Sequence, residues 1–189
     1  MNCMYKYVLM TAAKNEEKYI ENTLKAVVKQ IELPRKWIIV DDGSIDNTKA
    51  LIKKYAREYE FIRLVENNCR EDRNFGAQVR AINIGWELLK NDVYDYIGNL
   101  DADVSFKEDY YITIIQRMAA NQRLGLAGGF IYEEKNGIYK ERRYNNETSV
   151  AHAIQLFKRE CFEEIGGYLE LKYGGPDWVA EVTARMKGW

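Results

Sequence analysis

Trp37-Ile38-Ile39-Val40-Asp41-Asp42-Gly43-Ser44 sets four apolar residues directly against two carboxylates and a turn. A continuous apolar run this short is the kind buried on both faces of a parallel sheet, and Asp-Asp-Gly-Ser is turn chemistry. The same order recurs on either side. Upstream, Tyr5 to Met10 reads as a strand, followed by an amphipathic helix from about Glu17 to Ile31, where Ile20, Leu24, Val27 and Ile31 keep helical spacing. Downstream, Asp46 or Asn47 can cap a helix carrying Leu51 and Tyr55, and Phe61 to Val65 is a third strand.

A polar, mixed-charge loop from Glu66 to Asn74 leads to a helix marked by Val79, Ile82, Trp86 and Leu89. Tyr94 to Leu100 is a fourth strand ending in Asp101-Ala102-Asp103, and Tyr111, Ile114, Ile115 and Met118 mark a fourth helix. Strands and helices alternating through short connections imply an α/β domain with a mostly parallel, Rossmann-like sheet flanked by helices. From Leu124 the pattern changes. Gly125 to Tyr132 and Ile138 to Tyr144 read as strands joined through the hairpin signal Asn136-Gly137. Ala153 to Phe157 reads as a further strand, Arg159 to Ile165 as a short helix stopped by Gly166-Gly167, and Trp178 to Lys187 as the last helix.

The 189 residues form most simply one domain, residues 1–189, with residues 1–123 and 124–189 as its two halves. Lys and Arg number 28 against 29 Asp and Glu, so no broad positive field exists for nucleic acid, and any anion must be met by a local site. Cys3, Cys69 and Cys161 are odd in number and scattered, which argues against a disulfide framework and a structural zinc and fits a reducing compartment. With His152 the single histidine, a metal here needs carboxylate oxygens. The run Val8-Leu9-Met10 is too short for a secretory signal, and no apolar stretch is long enough to span a bilayer.

Asp41 and Asp42 close one strand and Asp101 and Asp103 another, so a parallel sheet brings both pairs to the same edge, where ligands of such sheets bind. Such carboxylates repel one another unless a cation or hydrogen-bond donors share the site. The Asp-x-Asp spacing suits Mg²⁺ or Mn²⁺ bridging to phosphate oxygens. The plainer alternative is that Asp and Gly simply punctuate strand ends. Neither a GxGxxG fingerprint nor a GxxxxGK[ST] phosphate loop is present. Leu100-Asp101-Ala102-Asp103-Val104-Ser105 resembles the DxDx[ST] signature of haloacid-dehalogenase-like phosphatases, which carry it on the first strand rather than in mid-chain.

Five ordered blocks over nearly the whole chain resemble the family 2 glycosyltransferases, inverting enzymes of the GT-A fold. Thr11-Ala12-Ala13-Lys14-Asn15-Glu16-Glu17 is similar to the family's opening loop, and Val40 through Thr48 to its second-strand block. Asn74-Phe75-Gly76 through Ala81-Ile82-Asn83-Ile84-Gly85 resembles its N-x-G…A-x-N-x-G helix. Leu100-Asp101-Ala102-Asp103 resembles its metal motif, and Phe157 through Tyr168 its acceptor-side block.

The resemblance implies a metal-assisted enzyme moving a hexosyl or related sugar from a UDP-, GDP- or dTDP-sugar to a hydroxyl of a saccharide or lipid-linked acceptor. Backbone groups of Ala12 and Lys14 and the carboxylates of Glu16 and Asp42 would line the base and ribose pocket. Asp101 would contact ribose or the metal shell, Asp103 would ligate Mg²⁺ or Mn²⁺, and the cation would neutralise charge on the leaving diphosphate. Arg73 and Arg80 stand beside the third block, as phosphate contacts or as solvated surface charges. Lys14 stands where many members have an aromatic residue. The catalytic base falls on Asp177, with Pro176 in place of the family's preceding Glu; Asp177 could also simply cap the last helix. Trp178 reads as core rather than a sugar platform, and His152 as packing or surface rather than part of a metal shell.

The rival expectations are a non-catalytic or truncated nucleotide-sugar-binding module, the phosphatase, and a nucleotidyltransferase, whose Gly-rich N-terminal loop is not found in Thr11 to Glu17. The acceptor half is expected to be curtailed at the C-terminus. The expected location is the cytoplasm, at the membrane periphery if the chain is the front of a longer protein.

Overall fold

The computed structural model describes residues 5–67, 75–143 and 145–189. Cys3, Cys69, Arg73, Asn74 and Tyr144 lie outside the described residues.

The parallel half follows the apolar pattern. Strands β1 (Tyr7–Ala13), β2 (Lys36–Asp41), β3 (Ile62–Glu66) and β4 (Tyr96–Asn99) alternate with helices α1 (Ile20–Val28), α2 (Thr48–Glu58), α3 (Phe75–Leu89) and α4 (Tyr110–Ala120). Two short strands, β5 (Leu126–Ala127) and β8 (Leu156–Lys158), complete a six-stranded sheet in the order β3-β2-β1-β4-β8-β5. β1 through β4 run parallel, and β8 is antiparallel to both β4 and β5. A separate hairpin joins β6 (Tyr132–Lys135) to β7 (Ile138–Glu141). Helices α5 (Arg159–Ile165) and α6 (Pro176–Met186) close the chain.

Helices cover both faces of the sheet. Tyr7, Leu9, Trp37 and Ile39 pack with Ile20, Leu24, Ile52, Tyr111 and Ile115 on one side. Val8, Met10, Ile38 and Val40 pack with Val79, Ile82, Phe157 and Phe162 on the other. The alternation is the period-two geometry of strands buried on both faces. A buried relay also fixes the ligand-side edge: the Trp37 indole donates to Thr11 Oγ1 at 2.9 Å, and the Thr11 hydroxyl donates to the Leu100 carbonyl at 2.7 Å. The relay thereby ties β1 to the start of β2 and to the residue that follows β4.

Several boundaries differ from the sequence expectation, each for a tertiary reason. β1 continues to Ala13 because β2 pairs with it as far as Asp41, so the opening block begins inside a strand. The strand expected over Gly125 to Tyr132 stops after Ala127, where a Cβ on Gly128 would lie 2.2 Å from Val150 Cγ1 and 2.8 Å from the Ile154 carbonyl. The strand expected from Ala153 is instead a one-turn 3₁₀ helix, His152–Ile154, followed by β8. The Asn136-Gly137 turn has both φ values positive, 56° and 77°, as a tight hairpin requires. Trp178 is 64% exposed, so the expectation that it fills core is corrected: the first turn of α6 presents it to solvent. Cys161 is a buried core thiol, pushed up to about 12 by burial.

The Gly166-Gly167 stop is as expected, and Gly167 is the tighter position. Both have φ in the left-handed region, 79° and 75°, but only at Gly167 would a Cβ meet the Trp86 ring, at 2.5 Å. Gly167→Ala is therefore expected to combine left-handed strain with overpacking, at roughly 2 to 4 kcal/mol. Gly166→Ala carries the strain alone, about 1 to 2 kcal/mol. Thermal denaturation of the two variants should separate them, and equal midpoints would refute the Trp86 contact as the cause.

Candidate active site

The ligand-side edge is built from two loops locked together. Asn15 takes φ 57° and its side-chain oxygen accepts from the Ile45 N–H at 2.9 Å, while its own N–H donates to Ser44 Oγ at 3.0 Å. Glu17 Oε2 accepts from the Asn47 N–H at 3.0 Å, and the Glu17 N–H donates to Asp46 Oδ2 at 3.1 Å. Asp46 also accepts from the Thr48 N–H at 3.0 Å, and Thr48 Oγ1 accepts from the Glu16 N–H at 2.7 Å. Hence Asp46, Asn47 and Thr48 do more than start α2; they hold the opening loop. Asn47, the helix N-cap, makes no side-chain capping bond.

That interlock gathers Lys14, Glu16 and Asp42. Glu16 and Asp42 are buried, and Lys14 Nζ lies 3.8 Å from Asp42 Oδ2. Asp42 Oδ1 accepts from Asn67 Nδ2 at 2.8 Å, and the Asp42 N–H donates to the Ala13 carbonyl at 2.9 Å. Burial pushes the Asp42 carboxyl above its ordinary value, against the lowering effects of Lys14, the Asn67 hydrogen bond and Arg80. Ala12 sits half-buried on β1, one residue before its end. Arg80, on α3, is ion-paired with Glu170, which follows α5. Asp41, beside Asp42, is buried with neither carboxylate oxygen hydrogen-bonded, and its counter-charge is Lys49 Nζ at 3.6 Å.

The second group lies at the end of β4. Ala102 is buried, and its carbonyl accepts from Thr23 Oγ1 at 2.8 Å, pinning the middle of Asp101-Ala102-Asp103 to α1. Asp103 on its far side is exposed. Asp101 Oδ1 accepts from Gln78 Nε2 at 3.2 Å and Asn99 Nδ2 at 3.4 Å, and lies 3.7 Å from His152 Nδ1. All these contacts fall on one carboxylate oxygen.

α6 carries the third component. It starts earlier than expected, with Gly175 as N-cap and Pro176 in the first turn, a position where the missing N–H costs nothing. Asp177 is thus inside the first turn rather than at the cap. Its Oδ2 accepts from the His152 N–H at 3.2 Å, and its Oδ1 from the Trp178 N–H at 2.9 Å. Four residues on, Glu181 is buried and its Oε1 accepts from the Val150 N–H at 2.6 Å, Ser149 Oγ at 3.1 Å and Gln155 Nε2 at 3.4 Å. The i,i+4 spacing places Asp177 and Glu181 on one helix face, and together they grip the segment from Ser149 to Gln155. Sequence reading missed Glu181, Asn99 and the place of His152. The spacing of the two carboxylates was the available signal for Glu181.

The donor set fits a hard divalent cation. Among the described residues no group of three or more His, Cys, Asp or Glu side chains could hold a metal by itself. Asp101 and Asp103 offer carboxylate oxygens, and Mg²⁺ or Mn²⁺ held there would take its remaining positions from water and substrate phosphate.

Residues 9–171 match the profile of Glycosyl transferase family 2. The chain belongs to that family. Membership displaces the phosphatase expectation, as does the position of Asp101 after β4 rather than on a first strand. A stretch of 149 residues is 32% identical to the poly-β-1,6-N-acetyl-D-glucosamine synthase of Staphylococcus aureus (strain COL), covering 79% of this chain and 31% of that protein. The synthase of the same name from Staphylococcus epidermidis is 30% identical over 150 residues. This family 2 chain thus spans about a third of the length of the curated relatives it matches.

Solved structures agree on the fold. The mannosyltransferase PcManGT from Pyrobaculum calidifontis, in complex with GDP-Man and Mn²⁺, superposes with a TM-score of 0.76 at 20% identity, over 100% of this chain and 54% of that one. S. aureus TarS 1–349 in complex with UDP-GlcNAc superposes with a TM-score of 0.67 at 16% identity, over 95% of this chain and 53% of that one. These are GT-A proteins, and this family 2 chain has the GT-A fold. Among the described residues no helix is long and apolar enough to cross a membrane.

Proposed function

We propose that this chain is an inverting, metal-assisted glycosyltransferase domain spanning residues 1–189, with residues 1–123 binding a nucleoside diphosphate sugar and residues 124–189 receiving the acceptor. The observation that carries it is that Asp101 and Asp177, 76 positions apart in sequence, both lie against His152. Glu16 and Asp42, with the backbone of Ala12 and Lys14, take the base and ribose, whose N–H and O–H groups are donors to carboxylates. Arg80, paired with Glu170, adds positive charge on the phosphate side. Bound at Asp101 and Asp103, Mg²⁺ or Mn²⁺ supplies Lewis acidity to the leaving diphosphate. Asp177 takes the proton of the acceptor hydroxyl while its oxygen bonds to the anomeric carbon and the bond from that carbon to the diphosphate breaks.

GDP-Man and UDP-GlcNAc, the ligands named for the neighbours, are the first donors to try, with a saccharide or a lipid-linked saccharide as acceptor. Calorimetry with Mn²⁺ and UDP-, GDP- or dTDP-sugars tests the donor site. One of the three is expected to bind, and silence from all of them would refute the reading. The pH dependence has a definite sign. Asp42 accepts N–H and O–H groups of the nucleotide on both oxygens, with full charge, only when ionised, and its carboxyl titrates above the ordinary 3.8. Donor affinity should therefore fall as pH drops through that raised value, beginning at less acid pH than a solvated Asp would allow. In Asp42→Asn the early part of that loss, at less acid pH, should vanish, together with part of the affinity at neutral pH, while the acid-side loss from Glu16, Asp101 and Asp103 remains.

A second reading, a nucleotide-sugar-binding module without transfer activity of its own, draws on the chain's match to only 31% of the synthase's length. It predicts donor binding with no product from any acceptor.

A further inference from the structure

We infer that His152 is a positioning residue that sets the spacing between the carboxylate proposed for the cation and the carboxylate proposed as base. The role rests on the function proposed above. His152 touches both carboxylates, through different atoms. Its backbone N–H donates to Asp177 Oδ2 at 3.2 Å, and its ring Nδ1 stands 3.7 Å from Asp101 Oδ1. Its carbonyl accepts from Asn99 Nδ2 at 2.6 Å, and the same amide nitrogen lies 3.4 Å from Asp101 Oδ1. One residue therefore joins the end of β4 to the first turn of α6, and Asn99 closes the triangle from below.

The ring has little freedom. It packs on Tyr168 with centroids 5.0 Å apart, and the buried Tyr168 hydroxyl donates to Gln155 Oε1 at 2.7 Å. The backbone is held by the 3₁₀ turn His152–Ile154, and the Asp101 N–H donates to the Ala153 carbonyl at 2.9 Å. Ring Nε2 is buried with no hydrogen-bond partner. A buried N–H left unpaired at Nε2 would cost about 1 to 3 kcal/mol, and Asn99 Nδ2, 3.3 Å from Nδ1, has the His152 carbonyl and Asp101 Oδ1 as acceptors for its two N–H groups, so the ring proton belongs on Nδ1, facing the Asp101 carboxylate. At 3.7 Å, longer than a hydrogen bond, Nδ1–H acts on Asp101 Oδ1 by electrostatic attraction, and the contacts of Asp101 all fall on that oxygen, which leaves Oδ2 for a cation. A partner that orients a ligating carboxylate is worth roughly 10- to 100-fold in metal affinity.

The two ring nitrogens can be separated by substitution. His152→Asn keeps an amide near the Nδ1 position, His152→Gln carries one out to the Nε2 position, and His152→Ala removes both; all three keep the backbone N–H to Asp177. The measurements are Mn²⁺ affinity in the presence of saturating UDP or GDP, whichever the wild-type chain binds, the kcat and KM for donor, and the thermal midpoint. His152→Ala should lose roughly tenfold or more in Mn²⁺ affinity and lower kcat with it. His152→Asn should recover most of both losses, and His152→Gln should not. Recovery by Gln and not Asn would overturn the role, because Nε2 would then act directly. If Ala fails to fold, the Asn and Gln pair still decides. Wild-type binding with all variants equal to it overturns the role alone. A wild-type chain that binds neither nucleotide with Mn²⁺ overturns the function, and the role with it.

Discussion

Asp177→Asn is expected to lower kcat by roughly 10²- to 10⁴-fold, the contribution of a positioned general base, while donor affinity stays near that of wild type. An acceptor hydroxyl is a poor nucleophile until its proton leaves, and an amide cannot take it. The loss corresponds to about 3 to 5 kcal/mol of barrier. The carboxylate has capacity for the task. Asp177 accepts one N–H on each oxygen, from Trp178 at 2.9 Å and His152 at 3.2 Å, and an ionised carboxylate has about four acceptor positions. Asn keeps only one accepting oxygen, so its amide opposes one of those N–H groups at about 1 kcal/mol of stability. That cost is visible as a small shift in thermal midpoint and is separable from the kinetic effect. Turnover is followed by release of nucleoside diphosphate with Mn²⁺ present; undiminished turnover would remove Asp177 as the base. The general acid-base assignment would then have no carboxylate on α6 to pass to, since Glu181 on the same face is buried and engaged by three donors.

The parallel half of the fold was legible because its signal is local. Runs such as Trp37 to Val40 are apolar on both faces, and this one closes in the turn chemistry of Asp42-Gly43-Ser44, where Gly43 takes a positive φ. The same holds for Gly166-Gly167, whose positive φ values suit glycine at a helix end. Residues 124–158 were less legible because their shape depends on distant chain. β5 ends where Val150 and Ile154 press on Gly128, and nothing within Gly125 to Tyr132 announces that contact. His152 is the plainest case. A lone histidine ahead of an apolar stretch is indistinguishable in sequence from a packing residue, and it does pack, on Tyr168. Its placement between Asp101 and Asp177 arises only when β8 pairs antiparallel with β4 and α6 folds back over the turn. Trp178 was misread for the opposite reason: an aromatic beside a helix start reads as core, and here Pro176 takes the buried side of the first turn of α6 while Trp178 faces solvent.

Asp103→Ala is expected to remove the metal dependence of donor binding at little cost to the fold. Asp103 is exposed, and truncating an exposed side chain typically shifts stability by no more than about 0.5 kcal/mol. What holds the motif in shape is its middle residue, since Ala102 is buried and its carbonyl is fixed by Thr23 at 2.8 Å. The turn therefore survives loss of the carboxylate that follows it. Asp101→Ala strips an acceptor from Gln78 and from Asn99 at the end of β4. With Asp103 gone, one carboxylate remains to hold a doubly charged ion against water, and Mn²⁺ affinity should fall by more than the roughly 10- to 100-fold that loss of a merely orienting partner brings. The diphosphate then meets the Asp101 charge with no cation between them, and like charges at such range disfavour binding. Titration of nucleotide into both proteins, with Mn²⁺ and with chelator, separates these effects. In chelator the wild-type and variant chains should bind alike and weakly; with Mn²⁺ only the wild type should tighten. Equal tightening in both would take Asp103 out of the ligand set and leave Asp101 and substrate oxygens as the cation's anchors.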